Sequence, residues 1–108
     1  MTNRAERRAA WHYRLRGYRI LATNAWAAGN EVDVIARRGR RLVFCEVKEK
    51  KGRRYGEPAE MVGSEKQRRV RRAAEAWLAQ RPELGELEIR FDVVAVGPDG
   101  LACIADAL

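Results

Sequence analysis

Gly29-Asn30-Glu31-Val32-Asp33-Val34-Ile35-Ala36 and Leu42-Val43-Phe44-Cys45-Glu46-Val47-Lys48 are the two runs that decide the fold. Both read as apolar strands, and each carries one carboxylate in its interior. Strand interiors rarely hold such groups, because a half-buried charge must be paired or coordinated. Arg38-Gly39-Arg40-Arg41 joins the runs and reads as a tight hairpin turn, with glycine where a two-residue type II′ loop needs it. With Gly39 and Arg40 as the loop, Arg38 pairs with Arg41, Ile35 with Phe44 and Asp33 with Glu46. Directly opposed residues have Cβ atoms roughly 4.5–5.5 Å apart. Two carboxylates at that separation repel unless a cation lies between them, and hard oxygen ligands favour Mg²⁺ or Mn²⁺.

Strand alternation extends the reading. Glu31, Asp33 and Ile35 should share one face of the first run, and Leu42, Phe44, Glu46 and Lys48 one face of the second. Val32, Val34 and Ala36 should point the other way with Val43, Cys45 and Val47. One face is then wholly apolar, and the other is apolar at one end and charged at the other.

The chain of 108 residues bounds a single domain, residues 1–108, with one modest core. Its 46% hydrophobic content fits a folded globule. No apolar run reaches membrane-spanning length. Arginines run through Met1 to Arg16 without an apolar segment, so a secretory signal is not expected and the cytoplasm is. Cys45 and Cys103 lie in apolar runs and read as buried, reduced thiols. The formal net charge of +7 and pI of about 10.1 suit a polyanionic partner.

Around the hairpin, Arg4 to Arg16 reads as a helix stopped by Gly17. Glu6, Ala9, Ala10 and Tyr13 fall on one stripe, so Glu6 either sits at the edge of that stripe or points into a shared polar site. Tyr18 to Trp26 reads as a strand, and Ala27 to Asn30 as a turn. Glu49 to Pro58 is a basic loop. Ser64-Glu65-Lys66-Gln67 has the form of a capping box with Ser64 as N-cap, opening a helix to about Gln80. Val62, Lys66, Val70, Ala73, Ala74 and Trp77 line its inner side, and Arg68, Arg71 and Arg72 face mostly outward. Glu88 to Val96 is a strand, Gly97 to Gly100 a turn, and Leu101 to Ala105 a last short strand. Helix, three strands, helix and two strands make an α/β chain with a mixed sheet of about five strands flanked by two main helices.

The chemistry concentrates at Asp33, Glu46 and Lys48. Asp33 and Glu46 suit metal ligands, and Lys48 suits a group that offsets developing negative charge or holds the attacking water. Glu31 is a further ligand or, the reading favoured here, a solvent-facing neighbour. Glu6 stands between a ligand or water-orienting base and a surface charge, and Lys66 between a phosphate contact and a surface charge. Asp92, inside another apolar strand, has no evident partner and reads as structural. A single histidine, His12, rules out a site built on several imidazoles. Neither cysteine has a nearby base, and there is no glycine-rich phosphate loop. Arg37, Arg38, Arg40, Arg41, Lys50, Lys51, Arg53 and Arg54 cluster around the hairpin and the following loop, as a basic rim expected close to the acidic site. Tyr55 could stack on a base or pack.

Asp33 with Glu46-Val47-Lys48 resembles the PD-(D/E)XK nuclease signature, with Val32 in place of the usual proline. The wider pattern resembles the YraN family, bacterial endonuclease-like proteins. It runs through Ala5-Glu6, Ala9-Ala10, Gly17 to Leu21 with Asn24, and the two runs quoted first. Gly56-Glu57-Pro58, Val62, Lys66 to Arg69 and Arg90-Phe91-Asp92-Val93 complete it. Asn30 stands where that family usually has a small residue. The resemblance implies a restriction-endonuclease-like fold, similar to archaeal Holliday-junction resolvases, with Glu6, Asp33, Glu46 and Lys48 as the active-site set. It implies a Mg²⁺- or Mn²⁺-dependent endonuclease on nucleic acid, DNA ahead of RNA and with branched DNA included. Arg38, Arg40, Arg41, Lys50, Lys51, Arg53, Arg54 and Lys66 are then the expected nucleic-acid contacts, and no membrane partner is expected. Resolvases of this fold act as symmetric dimers, which brings a homodimer into view, although no stripe in the sequence marks its interface. The alternatives are a non-catalytic nucleic-acid-binding protein on the same fold and a basic module that docks on an acidic protein.

Overall fold

The structure is a computed structural model that describes residues 3–50 and 63–107. Lys51, Arg53, Arg54, Tyr55, the Gly56-Glu57-Pro58 segment and Val62 lie outside the described residues. Chain order is α1 (Arg4–Arg14), β1 (Arg19–Ala27), β2 (Asn30–Arg38), β3 (Arg41–Glu49), α2 (Ser64–Ala79), a 3-10 turn (Pro82–Leu84), β4 (Glu88–Gly97) and β5 (Gly100–Ile104). The expected α/β architecture is present: one five-stranded mixed sheet, in the order β1-β2-β3-β4-β5, with two α-helices among the described residues. Neighbouring strands are antiparallel except β3 and β4, which are parallel. A parallel pair cannot be closed by a hairpin, and the crossover that this requires contains α2.

The β2–β3 hairpin has the expected loop. Arg38 pairs with Arg41 and Ile35 with Phe44. Gly39 takes φ +57° and Arg40 stays out of the left-handed region, as a type II′ turn demands. The ladder stops at Val34↔Cys45, so the expected Asp33–Glu46 pair lies one step beyond the last hydrogen-bonded pair. Asp33 Oδ2 accepts from the Val47 backbone N–H at 2.8 Å. The side chain thus satisfies a main-chain donor just past the end of the ladder, where the strands part.

Between β1 and β2 the register slips by one residue at Leu21, between Ile20↔Ala36 and Ala22↔Ile35. Further along, Asn24 adopts φ +50° inside β1. Asparagine tolerates this left-handed conformation better than most residues.

Two cores cover the sheet. On one face Ala5, Ala9 and Tyr13 of α1 pack with Tyr18, Val34, Ala36, Val43, Cys45, Val94 and Val96. On the other, Ala73, Ala74 and Trp77 of α2 pack with Val32, Ile35, Leu42, Phe44 and Leu84. Phe44 meets Trp77 edge-on at 5.7 Å and stacks on Phe91, also at 5.7 Å. The predicted faces hold from Val34 onward: Val32 belongs with Ile35 rather than with Val34, and Glu31 and Asp33, expected beside Ile35, instead meet Glu6 of α1. Alternation slips in the stretch that contains Asp33, beside the left-handed Asn24.

Helix starts also differ from expectation. Gly63, not Ser64, is the N-cap of α2, and no side chain caps it. The capping box is at α1, where Asn3 Oδ1 accepts from Glu6 N at 2.8 Å and the Glu6 carboxylate accepts from Asn3 N at 3.4 Å. α1 ends at Arg14, short of the expected Arg16, with Gly17 at φ +86°. Cys45 is buried, Cys103 half-buried, and both are free. No helix among the described residues is long and apolar enough to cross a membrane.

Asp92 has the partners that the sequence does not reveal. It is completely buried, and its carboxylate accepts from Tyr13 Oη at 2.7 Å, Arg90 Nε at 2.8 Å, Arg90 Nη2 at 2.9 Å and Asp106 N at 3.0 Å. This network ties α1 to β4 and to the turn after β5.

Candidate metal centre

Carboxylates from α1 and β2 meet where β2 and β3 part, and Glu46 of β3 acts on one of them, Asp33, through its charge. Glu6, Glu31 and Asp33 each bring a carboxylate oxygen within 4.8 Å of the others. Glu6 sits on the buried stripe of α1 and is 8% exposed, so it points into the shared polar site rather than to solvent. Glu31 joins it, against the solvent-facing reading. The link is Asn24, whose Nδ2 donates to Glu6 Oε2 at 2.7 Å and to Glu31 Oε1 at 2.8 Å. One amide group has two N–H bonds, and here they hold two carboxylates together. The sequence signal for Asn24 was its place in the family pattern. Its left-handed backbone, which aims the amide, has no sequence signal of its own.

Glu46 stands across from Asp33 and is 5% exposed. Its Oε1 faces Lys66 Nζ of α2 at 3.3 Å. With the carboxylates ionised, Oε2 is buried and meets no hydrogen-bond donor among the described residues. Burial, and then the negative charge of Glu46, pushes the Asp33 carboxyl up to about 8. Burial raises Glu46 as well, against the lowering effect of Lys66 and, more weakly, of Lys48. Lys48 therefore lies near enough for its charge to reach Glu46.

This donor set fits a hard divalent cation. Every candidate ligand is a carboxylate oxygen, the group that Mg²⁺ and Mn²⁺ prefer. The orphaned, buried Oε2 of Glu46 lacks what such an ion supplies. Of the two expected ligands, Asp33 belongs to the group that closes to within 4.8 Å, with Glu6 and Glu31, whereas Glu46 faces Asp33 from outside that group.

The hairpin part of the basic rim is not beside the carboxylates, and Lys51, Arg53 and Arg54 lie outside the described residues. Arg38, Arg40 and Arg41 lie at the far end of the hairpin, five residues from Asp33 and Glu46, which is about 16 Å along a strand. They have local partners there. Arg38 donates to Arg16 O at 2.8 Å and lies over the Tyr18 ring, Arg40 donates to Glu86 O at 3.2 Å, and Arg41 pairs with Glu88 at 3.6 Å. Arg37 and Arg38, with Arg19 and Arg81, line a cleft of about 720 Å³ over Leu21, Trp77 and Leu84. Lys50, just after β3, is the described member of the rim at the acidic end, and Lys66 reaches that end from α2.

Asp33→Asn tests the electrostatics. A carboxyl whose folded pKa of about 8 exceeds its ordinary 3.8 favours the fold when protonated. Its contribution is complete below about pH 4 and is lost as pH rises through about 8. Asparagine keeps an acceptor for Val47 N and cannot ionise. In chelator, the melting temperature of Asp33→Asn should exceed that of the wild type by a margin that widens from pH 4 to pH 9. Adding Mg²⁺ should raise the wild type and leave the variant unmoved.

Comparison with known proteins finds the uncharacterised protein family UPF0102 matching residues 5–96. A UPF0102 protein of Symbiobacterium thermophilum is 48% identical over 99 residues, covering 88% of this chain and 81% of that protein. One of Mesorhizobium japonicum is 45% identical over 96 residues, covering 89% and 75%. One of Frankia casuarinae is 44% identical over 88 residues, covering 82% and 74%.

Proposed function

This chain belongs to the uncharacterised protein family UPF0102, and from that premise we propose that it is a Mg²⁺- or Mn²⁺-dependent endonuclease that hydrolyses nucleic-acid phosphodiesters in the cytoplasm, with DNA as the favoured substrate. The observation that carries this reading is Glu46, buried opposite Asp33 and, with both carboxylates ionised, left with one oxygen that meets no donor among the described residues. Without a cation the pair avoids two facing charges by keeping a proton on Asp33, whose pKa is pushed up to about 8; a bound cation would replace that proton. The UPF0102 name of the relatives carries no activity, so the reading rests on the site and on the resemblance to PD-(D/E)XK nucleases.

Asp33 and Glu46 hold the cation, with Glu6 and Glu31 next to them. Bound there, it supplies positive charge that polarises the phosphate and makes hydroxide available at neutral pH. Lys48, whose charge reaches Glu46, would offset charge that builds on the phosphate oxygens. Lys66 already pairs with Glu46, and its three donors can turn to a phosphate once that carboxylate is otherwise neutralised. Asn24 fixes Glu6 and Glu31 in place. The arginines at the far end of the hairpin suit the flanking backbone of a bound strand, where phosphate contacts position the substrate without reading its sequence.

The test is a panel of linear, single-stranded and four-way-junction DNA, with RNA, incubated with the purified protein and Mg²⁺ or Mn²⁺. Cleavage that chelator abolishes supports the reading. A folded, cation-stabilised protein that cuts nothing on the panel overturns it in favour of a binding role. Asn24→Gly probes the supporting shell, since glycine accepts the φ of +50° while losing the amide. Partners that orient ligands typically contribute about 10–100-fold in metal affinity or activity. Asn24→Gly should weaken Mn²⁺ binding in a calorimetric titration by roughly that factor, with little change in melting temperature.

A further inference from the structure

Trp26 is a large apolar side chain in a place where the core does not use it. It is 69% exposed, near the end of β1. Its neighbours Ala25 and Ala27 pack into the core on the α2 side. Trp26 points the other way, and its cross-strand partner is Glu31. Opposed residues share a face, with Cβ atoms roughly 4.5–5.5 Å apart. Glu31 belongs to the carboxylate cluster, so the indole stands at its rim. The other two tryptophans have cations over their rings, Arg14 at 5.2 Å from the Trp11 centroid and Arg81 at 4.1 Å from that of Trp77. Among the described residues, Trp26 has neither a ring nor a cation against it. Its backbone is held firmly: Ala28 and Gly29 form the tight turn beyond it, at φ +52° and +73°, and Asn30 Nδ2 closes on Ala28 O at 2.8 Å.

We propose that Trp26 is a stacking platform for a nucleobase, and that the substrate is nucleic acid with an unpaired base next to the phosphate at the carboxylate cluster. The inference rests on the nuclease reading for the position of that phosphate. A base lies one sugar away from its phosphate, which matches an aromatic ring one cross-strand neighbour away from a ligand carboxylate. In a continuous duplex both faces of every base are covered by neighbours, and none is open to a side chain. Stacking on Trp26 therefore selects a single strand, a frayed or flapped end, or the unpaired step of a branch. Aromatic stacking tolerates any base, so the selectivity is for structure and not for sequence.

The experiment measures binding of a labelled single-stranded oligonucleotide and of its blunt duplex in Ca²⁺, by anisotropy, together with tryptophan emission. Trp26→Ala should weaken single-strand binding by about tenfold or more while leaving duplex binding and the thermal melt unchanged, and Trp26→Phe should recover part of the loss. Single-strand binding should quench emission in the wild type and in Trp11→Phe, and the quench should disappear in Trp26→Phe. Equal single-strand affinity in wild type and Trp26→Ala overturns the proposal, and so does an equal loss for strand and duplex. Unchanged Trp26→Ala binding alongside chelator-sensitive cleavage removes the platform and leaves the nuclease standing. Trp26-dependent binding without cleavage removes catalysis and leaves the platform standing.

Discussion

Glu46→Gln is expected to reduce cleavage by about 10³-fold or more while the protein stays folded. The side chain is buried between Asp33 and Lys66, and glutamine has nearly the same shape. What changes is charge and one ligand oxygen. A cation in such a site is worth several kcal/mol of transition-state stabilisation, and each 1.36 kcal/mol is tenfold in rate. Removing a ligand charge weakens the ion's hold and its orientation together. The fold should tolerate the change, because burial already raises the pKa of Glu46 and its neighbour Asp33 is raised further by the facing charge. The variant should therefore melt no lower than the wild type in chelator. Multiple-turnover cleavage and a melt on the same preparation check both halves. Wild-type cleavage rates in a folded Glu46→Gln protein would remove Glu46 from the mechanism.

The largest effect on stability is expected from Asp92→Ala. The Asp92 carboxylate is fully buried and accepts from Tyr13, from both ends of the Arg90 fork and from Asp106 N. Truncation leaves a guanidinium, a phenol and an amide without their acceptor. Breaking a buried ion pair by removing one partner costs about 3–5 kcal/mol, a large share of the roughly 5–15 kcal/mol that holds a domain together. At about 4–8 °C per kcal/mol for a domain of this size, the melt should fall by more than about 10 °C. Tyr13→Phe removes only the phenol and should cost about 1 kcal/mol. Denaturant titration separates the two variants. The pair also separates fold from site, since Asp92→Ala should lose activity by unfolding and Glu46→Gln should lose it while folded.

Much of this was legible in the sequence. Gly39 and the alternation on either side of it fixed the hairpin and its register, because a two-residue loop leaves no freedom to slip. The opposed carboxylates followed from that register alone. The parting of the strands at Asp33 did not, because it depends on that side chain taking the Val47 N–H. The role of Glu31 depended on Asn24, whose backbone conformation no local pattern announces. Ser64 and Gln67 match a capping pattern that Gly63 displaces, whereas the working box joins Asn3 and Glu6, where one carboxylate serves both the helix cap and the acidic cluster. The hairpin arginines lie away from the carboxylates because the turn and the ligand end are opposite ends of the same strands. Asp92 read correctly as structural, but its partners come from α1 and from the turn after β5, which only tertiary structure brings together.

The slip at Leu21 and the left-handed Asn24 both fall on β1, which among the described residues has β2 on one side and no strand on the other. A flat outer strand is an open template that another chain can extend by hydrogen bonding, and bulges and bends are the usual safeguard against it. The irregularities that aim an amide at two glutamates thus also roughen the border of the sheet and discourage polymerisation through it. If two copies pair to cut both strands of a junction, they should meet through side chains rather than by running their sheets together across β1.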